Sequence, residues 1–237
     1  MRFNHYNIFE KLAAVVFPNV CVCCGRENMH RQRQICSFCL QERFRDANPE
    51  HKRASSDSLL PDGVEFQQAL WQFDKGGDLQ QLLHQLKYEH LFQIGVDLGR
   101  KLGERAVQYP ELNKYLDHRN ALLLPVPLHP RKYRYRGFNQ AFAIASGFQK
   151  VWGELEICAR KSVVRSRNTR TQTGLDLQKR QENMSGAFTV IDKTTVANRI
   201  MVIIDDVFTT GSTSFELART VLDEGAQSVA VLTVGQA

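Results

Sequence analysis

Residues 202–213 read VIIDDVFTTGST: an apolar run, two adjacent carboxylates, then small and hydroxylated residues that open a helical pattern. Val202, Ile203 and Ile204 are continuously apolar, as a strand buried on both faces of a parallel sheet requires. Asp205 and Asp206 are therefore expected at its carboxyl end, the edge where open α/β sheets bind ligands. Thr209, Thr210, Gly211, Ser212 and Thr213 then offer hydroxyls and the unpaired N–H groups of a helix start, where the helix dipole favours an anion such as phosphate. The acids suit the vicinal hydroxyls of a ribose and the small-residue turn suits its 5′-phosphate. A purely structural reading also exists, since Thr213 and Glu216 spell a capping box and Gly225 a helix end. It leaves the acids unexplained, because two neighbouring carboxylates repel one another and cap nothing.

A second constellation lies near the start. Cys21, Cys24, Cys36 and Cys39 form two C-x2-C pairs separated by eleven residues, a zinc-ribbon spacing. Each pair can present two thiolates to one face, and two pairs close a tetrahedral S4 site, structural rather than catalytic. Gly25 eases the turn after the second thiol. Disulfides and unliganded core thiols are the competing readings; the first suits a reducing compartment poorly and the second does not account for the pairing. Cys23 sits between two ligands and leaves one assignment open, and Cys158 reads as a buried thiol. So small a module would draw its folding energy from the metal. Arg26, His30, Arg31, Arg33, Arg43 and Arg45 leave both scaffolding and nucleic-acid contact open as its role.

The composition of the 237-residue chain, 43% hydrophobic and 24% charged, is that of a globular protein with one sizeable core plus a small module. Residues 12–17 are too short an apolar stretch for a membrane span, so a cytoplasmic protein without membrane insertion is expected. The net charge of +6 is concentrated: residues 160–180 carry a local +6 and residues 129–136 a local +4, leaving the remainder acidic. A charge run is usually a solvated face, so position in the fold must decide whether these two act.

The elements that would position these groups follow from pattern. Residues 48–63 are polar and turn-rich and read as a linker. Residues 64–73 have strand character, Leu79, Leu82, Leu83 and Leu86 recur at helical spacing, and a second helix is expected over 91–107. Strands are expected at 121–124, closed by Pro125-Val126-Pro127, and at 155–164, 187–191, 199–204 and 228–234, with a helix over 138–151. Strands alternating with helices indicate a parallel sheet. Both basic segments follow predicted strands and can overhang the edge that carries Asp205 and Asp206.

Residues 202–213 resemble the phosphoribosyl-pyrophosphate (PRPP) signature of type I phosphoribosyltransferases. The resemblance implies that Asp205 and Asp206 hold the ribose 2′- and 3′-hydroxyls and that Thr209, Thr210, Gly211, Ser212 and Thr213 wrap the 5′-phosphate. Together with LPVPLHPRKYRYRGFNQA at 124–141, the TQTGL, KRQEN and GAF elements within 165–188, and the cysteine module, most of the chain resembles the ComF/GntX family, phosphoribosyltransferase-like proteins linked to competence and DNA utilisation. The implied fold is α/β, a type I phosphoribosyltransferase-like parallel sheet flanked by helices, with a small N-terminal zinc-ribbon module. The implied organisation is a zinc ribbon with an N-terminal helix at 1–47, a linker at 48–63, a hood at 64–116 and an α/β core at 117–237.

The same resemblance implies a pyrophosphate loop at 125–129, with Pro127 and His129 as contacts, and a catalytic lid at 165–180. Arg136 and Arg180 become the clamp candidates beside the catalytic pair Asp205 and Asp206, because arginines and Mg²⁺ stabilise a pyrophosphate leaving group better than water. Asn139, Gln140, Gln172 and Asn183 either orient ligands or serve as turns and caps. The expected cofactors are structural Zn²⁺ and Mg²⁺ with PRPP. The expected reaction transfers phosphoribosyl to an unidentified acceptor with release of pyrophosphate. The alternative is a non-catalytic, PRPP-responsive adaptor that handles nucleic acid, with single-stranded DNA or competence-machinery proteins as partners.

Overall fold

In chain order the strands are Val64–Gln72 (β1), Ala121–Pro125 (β2), Glu156–Ile157 (β3), Val163–Arg165 (β4), Phe188–Val190 (β5), Ile200–Phe208 (β6) and Ser228–Gln236 (β7). The helices are Ser37–Glu42 (α1), Asp78–Tyr88 (α2), Phe92–Val107 (α3), Pro110–Leu116 (α4), Pro130–Arg136 (α5), Gln140–Gln149 (α6) and Ser212–Asp223 (α7). The structure is a computed structural model and describes residues 19–30, 32–47, 60–116, 120–167 and 184–237. The expected N-terminal helix, most of the expected linker, and Arg180, Gln172 and Asn183 lie outside the described residues.

Five strands form one parallel sheet in the order β1-β7-β6-β2-β3, and β4 and β5 form a separate antiparallel pair. The α/β class expected from the sequence is thus the observed one. Side chains alternate between the two faces of each strand. Leu123, Val202, Ile204, Ala230, Leu232 and Val234 face one core with α2, α3, α4 and α6. Leu122, Leu124, Met201, Ile203, Val229 and Val231 face the other with α7 and the β4–β5 pair.

Four elements differ from expectation in ways that matter for the site. First, β6 does not stop at Ile204 but pairs with β7 as far as Phe208 and Gln236, so both aspartates belong to the strand. On its other side β2 ends at Pro125, and Val126 N–H bonds to the Ile204 carbonyl as the chain leaves. A residue without an N–H cannot extend a ladder, so Pro127 carries the chain away and that flank of β6 opens at Asp205. Second, the expected strand at 155–164 is two short strands around a turn at Ala159 and Ser162, with β3 in the main sheet and β4 in the antiparallel pair. Third, residues 64–116, the expected hood, also extend the main sheet, with β1 as its edge strand and α3 packed on α6. Fourth, Thr213 and Glu216 do not form the expected capping box. Gly211 is the N-cap of α7, in a left-handed conformation, and the Glu216 carboxylate accepts from Gly186 N–H and pairs with Arg219.

The α3–α6 crossing is made by glycines. A Cβ on Gly99 would lie 1.8 Å from the Ile144 carbonyl oxygen, and one on Gly147 would lie 2.0 Å from that of Val96. Any side chain at either position would push the helices apart, and with them the residues that reach the cysteine module.

That module is joined to the sheet. Ile35, Cys39, Leu40 and Phe44 belong to the same apolar cluster as β1, α2 and α3, and the Phe44 ring lies 4.5 Å from that of Trp71. Gln72 N–H bonds to the Arg45 carbonyl and Ala47 N–H to that of Leu70, so the chain after α1 runs along the free edge of β1. Arg43 makes a bidentate pair with Asp78 at 2.8 and 3.0 Å.

Candidate functional site

Strand alternation separates the two acids. Asp206 falls on the α2–α3 face and Asp205 on the α7 face, and both are buried, 6% and 8% exposed. Each meets a different cation. Lys87, at the end of α2, forms an ion pair with Asp206. Arg165, on β4, is the positive charge that acts with Asp205. The carboxylates therefore titrate in opposite directions. Burial, reinforced by the Asp206 charge, pushes Asp205 well above the usual carboxylate range. Burial works on Asp206 in the same sense, but the adjacent Lys87 ammonium outweighs it and holds Asp206 below that range.

The small-residue turn, the expected phosphate cradle, follows directly. Gly211 adopts φ +73°, and a Cβ there would lie 2.4 Å from the Phe215 ring. Only glycine lets the chain turn this tightly into α7. Thr210 and Ser212 hydroxyls hydrogen-bond at 2.6 Å, Ser212 is buried, Thr209 is exposed and Thr213 half-buried. With the first N–H groups of a twelve-residue helix, the turn has the donors and dipole an anion requires.

The loop after β2 supplies the next wall. The basic stretch 130–136 is not a loop but the short helix α5, with His129 as N-cap and its Nδ1 accepting from Arg131 N–H. Partial burial, then the charges of Arg131, Arg165, Lys132 and Arg134, hold the His129 pKa below its ordinary value, which favours the neutral ring. Pro127 lies half-buried between β2 and α5.

Every residue of RGFNQ has a physical task. Arg136 ends α5 and is held by Gln140 at 3.0 Å, within electrostatic reach of Asp206. Gly137 takes the left-handed C-cap position. Phe138 meets Phe92 edge-on, with ring centroids 5.5 Å apart. Asn139 caps α6 by accepting from Ala141 N–H and donates to the Val126 carbonyl, tying the helix to the loop after β2. Asn139 thus serves the turn and Gln140 orients an arginine.

One member of this site, Lys87, carries no signal of its own in the sequence, and a second, Lys132, is legible only as part of the basic stretch 129–136. Lys87 belongs to a helix whose leucines mark a core face, and its approach to Asp206 depends on how that helix crosses the sheet. Lys132 is more than half-buried; burial, then Arg165, Arg136 and Lys87, lower its pKa. Lys87, Arg136 and Arg165 therefore gather around two acids with Lys132 beside them, a local excess of positive charge.

The four predicted zinc ligands come together. The Sγ atoms of Cys21, Cys24, Cys36 and Cys39 all lie within 4.8 Å of one another, and Cys23 is not part of the group. Cys24 and Cys36 are 3.8 Å apart, the edge of about 3.8 Å expected of a tetrahedron with ~2.3 Å zinc–sulfur arms. Cys36 N–H donates to Cys21 Sγ and Cys39 N–H to Cys36 Sγ. Burial opposes charge on Cys21, yet the backbone N–H groups of Cys36, Cys23 and Cys24 bring its pKa down to about 7. This donor set fits one soft divalent ion and closes it off, as a structural site does. Beneath it, buried Asp97 of α3 accepts from Gln34 N–H at 2.7 Å and Ile35 N–H at 3.1 Å, while Gln93 donates to its other oxygen.

No helix among the described residues is long and apolar enough to cross a membrane. No family model matches the chain. It is 32% identical over 230 residues to the DNA utilization protein YhgH of Shigella flexneri, covering 90% of this chain and 95% of that protein. It is 31% identical over 242 residues to the protein of that name from Salmonella typhi, covering 98% and 91%. It is 32% identical over 159 residues to Competence protein F of Haemophilus influenzae, covering 66% and 67%. Likeness at this level over most of its length places the chain in the ComF/GntX family.

Proposed function

We propose that the site between β6, α5 and the start of α7 binds PRPP with Mg²⁺ and transfers its phosphoribosyl group to an acceptor used in DNA utilisation. The observation that carries this reading is the gathering of Lys87, Lys132, Arg136 and Arg165 around a buried carboxylate pair that leads straight into a phosphate cradle. Asp205 and Asp206 accept from the two ribose hydroxyls, and the turn from Thr209 to Thr213 takes the 5′-phosphate. Arg136 and Lys132 lie on the side where the loop after β2 brings the pyrophosphate. The ammonium on Asp206 marks a place that favours positive charge, which suits a ligand arriving with a divalent cation. Mg²⁺ supplies charge neutralisation to the leaving group when bound. In the transfer, the C1–O bond to pyrophosphate breaks with both electrons leaving on oxygen. The acceptor's lone pair forms the new bond to C1, and any proton it loses passes to water. Ionised Asp206 and the cations then hold opposite charges as they develop. Zn²⁺ in the cysteine cluster is structural in this reading.

A second reading, a nucleic-acid handling adaptor that responds to PRPP, is favoured by a row of exposed rings beside the site. His84 and Tyr88 on α2 have ring centroids 4.6 Å apart, Tyr135 on α5 is 6.5 Å from Tyr88, and the Arg136 guanidinium lies 5.3 Å over Tyr88. Tyr88 is 44% and Tyr135 74% exposed, and rings beside cations form a stacking surface for unpaired bases. One assay separates the readings: protein, Mg²⁺ and PRPP incubated with nucleobases or single-stranded DNA, with pyrophosphate release followed. Acceptor-dependent release is expected; binding without release would leave the adaptor. Asp205→Asn with Asp206→Asn should abolish PRPP binding in calorimetry with the fold intact, and retained affinity would refute the site.

A further inference from the structure

A cavity of about 470 Å³, lined by none of the residues of the site above, lies at the seam between the cysteine module and the α/β body. Its lining includes Arg33 and Gln34 from the module, Gln93 and Arg100 from α3, and Lys150 at the end of α6. Three cations thus meet with no carboxylate among the lining residues. Asp97, which anchors Gln34, is turned into the protein: it is 1% exposed and both its oxygens already accept, from Gln34 N–H, Ile35 N–H and Gln93. The Arg100 Nε and the Gln34 side-chain oxygen are buried without a hydrogen-bond partner. A buried guanidinium N–H left unpaired is costly, and an oxyanion in the cavity satisfies it.

We propose that this seam is a second ligand site, for a phosphorylated small molecule of nucleotide size, held by Arg33, Arg100 and Lys150. The volume is that of a small-molecule pocket, and the lining is too polar for an apolar occupant. The fold builds it: the glycine crossing of α3 and α6 sets Arg100 beside Lys150, and the Asp97 anchor sets Gln34 and Arg33 over both. The ligand therefore bridges module and body, and occupancy tightens their union.

The test uses the full-length, metal-loaded protein carrying Asp205→Asn, Asp206→Asn, Lys132→Gln and Arg136→Gln, which strips the first site of its acids and of two of its cations. Calorimetry with AMP, and separately with pyrophosphate, is expected to show one-site binding, weakened at least about ten-fold by adding Lys150→Gln or Arg100→Gln. Lys150 is exposed, so its replacement leaves the fold unchanged, and unfolding of the unliganded variants checks this. The proposal is overturned by absence of binding into the millimolar range, or by binding that Lys150→Gln and Arg100→Gln leave unaltered. Much tighter binding of a single-stranded oligonucleotide than of AMP would overturn the small-molecule assignment. Pyrophosphate release by the Lys150→Gln chain with intact aspartates is expected to match that of the parent, so the seam and the transfer reaction succeed or fail separately.

Discussion

Asp205 and Asp206 are neighbours with opposite consequences for stability, because pleating hands them to different partners. The pKa of Asp205 is raised, so its contribution is present below the ordinary carboxylate pKa and is lost as pH rises through the raised value. At neutral pH the burial of this carboxyl opposes folding. Asp205→Asn should therefore stabilise the protein by about 1 kcal/mol, a rise in Tm of roughly 2–4 °C for a chain of this size, while removing PRPP binding. The pKa of Asp206 is lowered, so its contribution is present above the ordinary carboxylate pKa and is lost as pH falls. Asp206→Asn leaves Lys87 with no counter-charge and should cost about 1–3 kcal/mol at pH 7, a cost that shrinks as pH falls below the ordinary carboxylate range. Melting curves of both variants across that range check the pair, and equal signs at pH 7 would contradict the assignment of partners. Both acids are legible in the sequence; the identity of the residue that meets each is not.

At the scale of elements, local spelling was reliable where a run meets its own needs and failed where a distant strand or side chain intervened. The apolar run of β6 ends at Ile204, but β7 continues to Gln236 and carries β6 with it to Phe208. The capping box is spelled correctly at Thr213 and Glu216, yet Gly186 and Arg219 take the carboxylate. The α3–α6 contact shows the same dependence, since Gly99 inside a helix looks like a local weakness and is instead the point of closest approach. Gly99→Val should cost about 3 kcal/mol or more in denaturant unfolding, through backbone clash with Ile144. An exposed glycine of the same helix type would instead gain stability from such a change in propensity, so the sign of the effect tests the crossing.

For the whole molecule, the cysteine module is part of one apolar cluster, bridged to the body by Arg43–Asp78, Arg105–Asp46 and the Asp97 carboxylate. Removing the metal, by chelation or by Cys36→Ser, should lower the midpoint of a single cooperative unfolding transition, with a loss of several kcal/mol. Two separate transitions would show that the module folds by itself. Asp97→Ala leaves two backbone N–H groups without their acceptor and should cost about 1–3 kcal/mol while loosening metal retention, measured by competition with a chromogenic chelator. The net charge of +6 acts at this scale too: single-strand binding through the tyrosine row should fall steeply with salt if the cations contribute.

Chemistry written within a few residues is legible without the fold: two C-x2-C pairs, an aspartate pair at the end of an apolar run, a small-residue turn into a helix, and the RGFNQ corner. Each works through neighbours along the chain, so spacing is enough to read it. Only the tertiary structure decided what faces those groups: Lys87 on Asp206, Arg165 beside Asp205, Asp97 beneath Gln34 across 63 residues, and Arg33, Arg100 and Lys150 around one cavity. Those meetings depend on strand register and on two helices crossing at glycines, and neither leaves a local mark in the sequence.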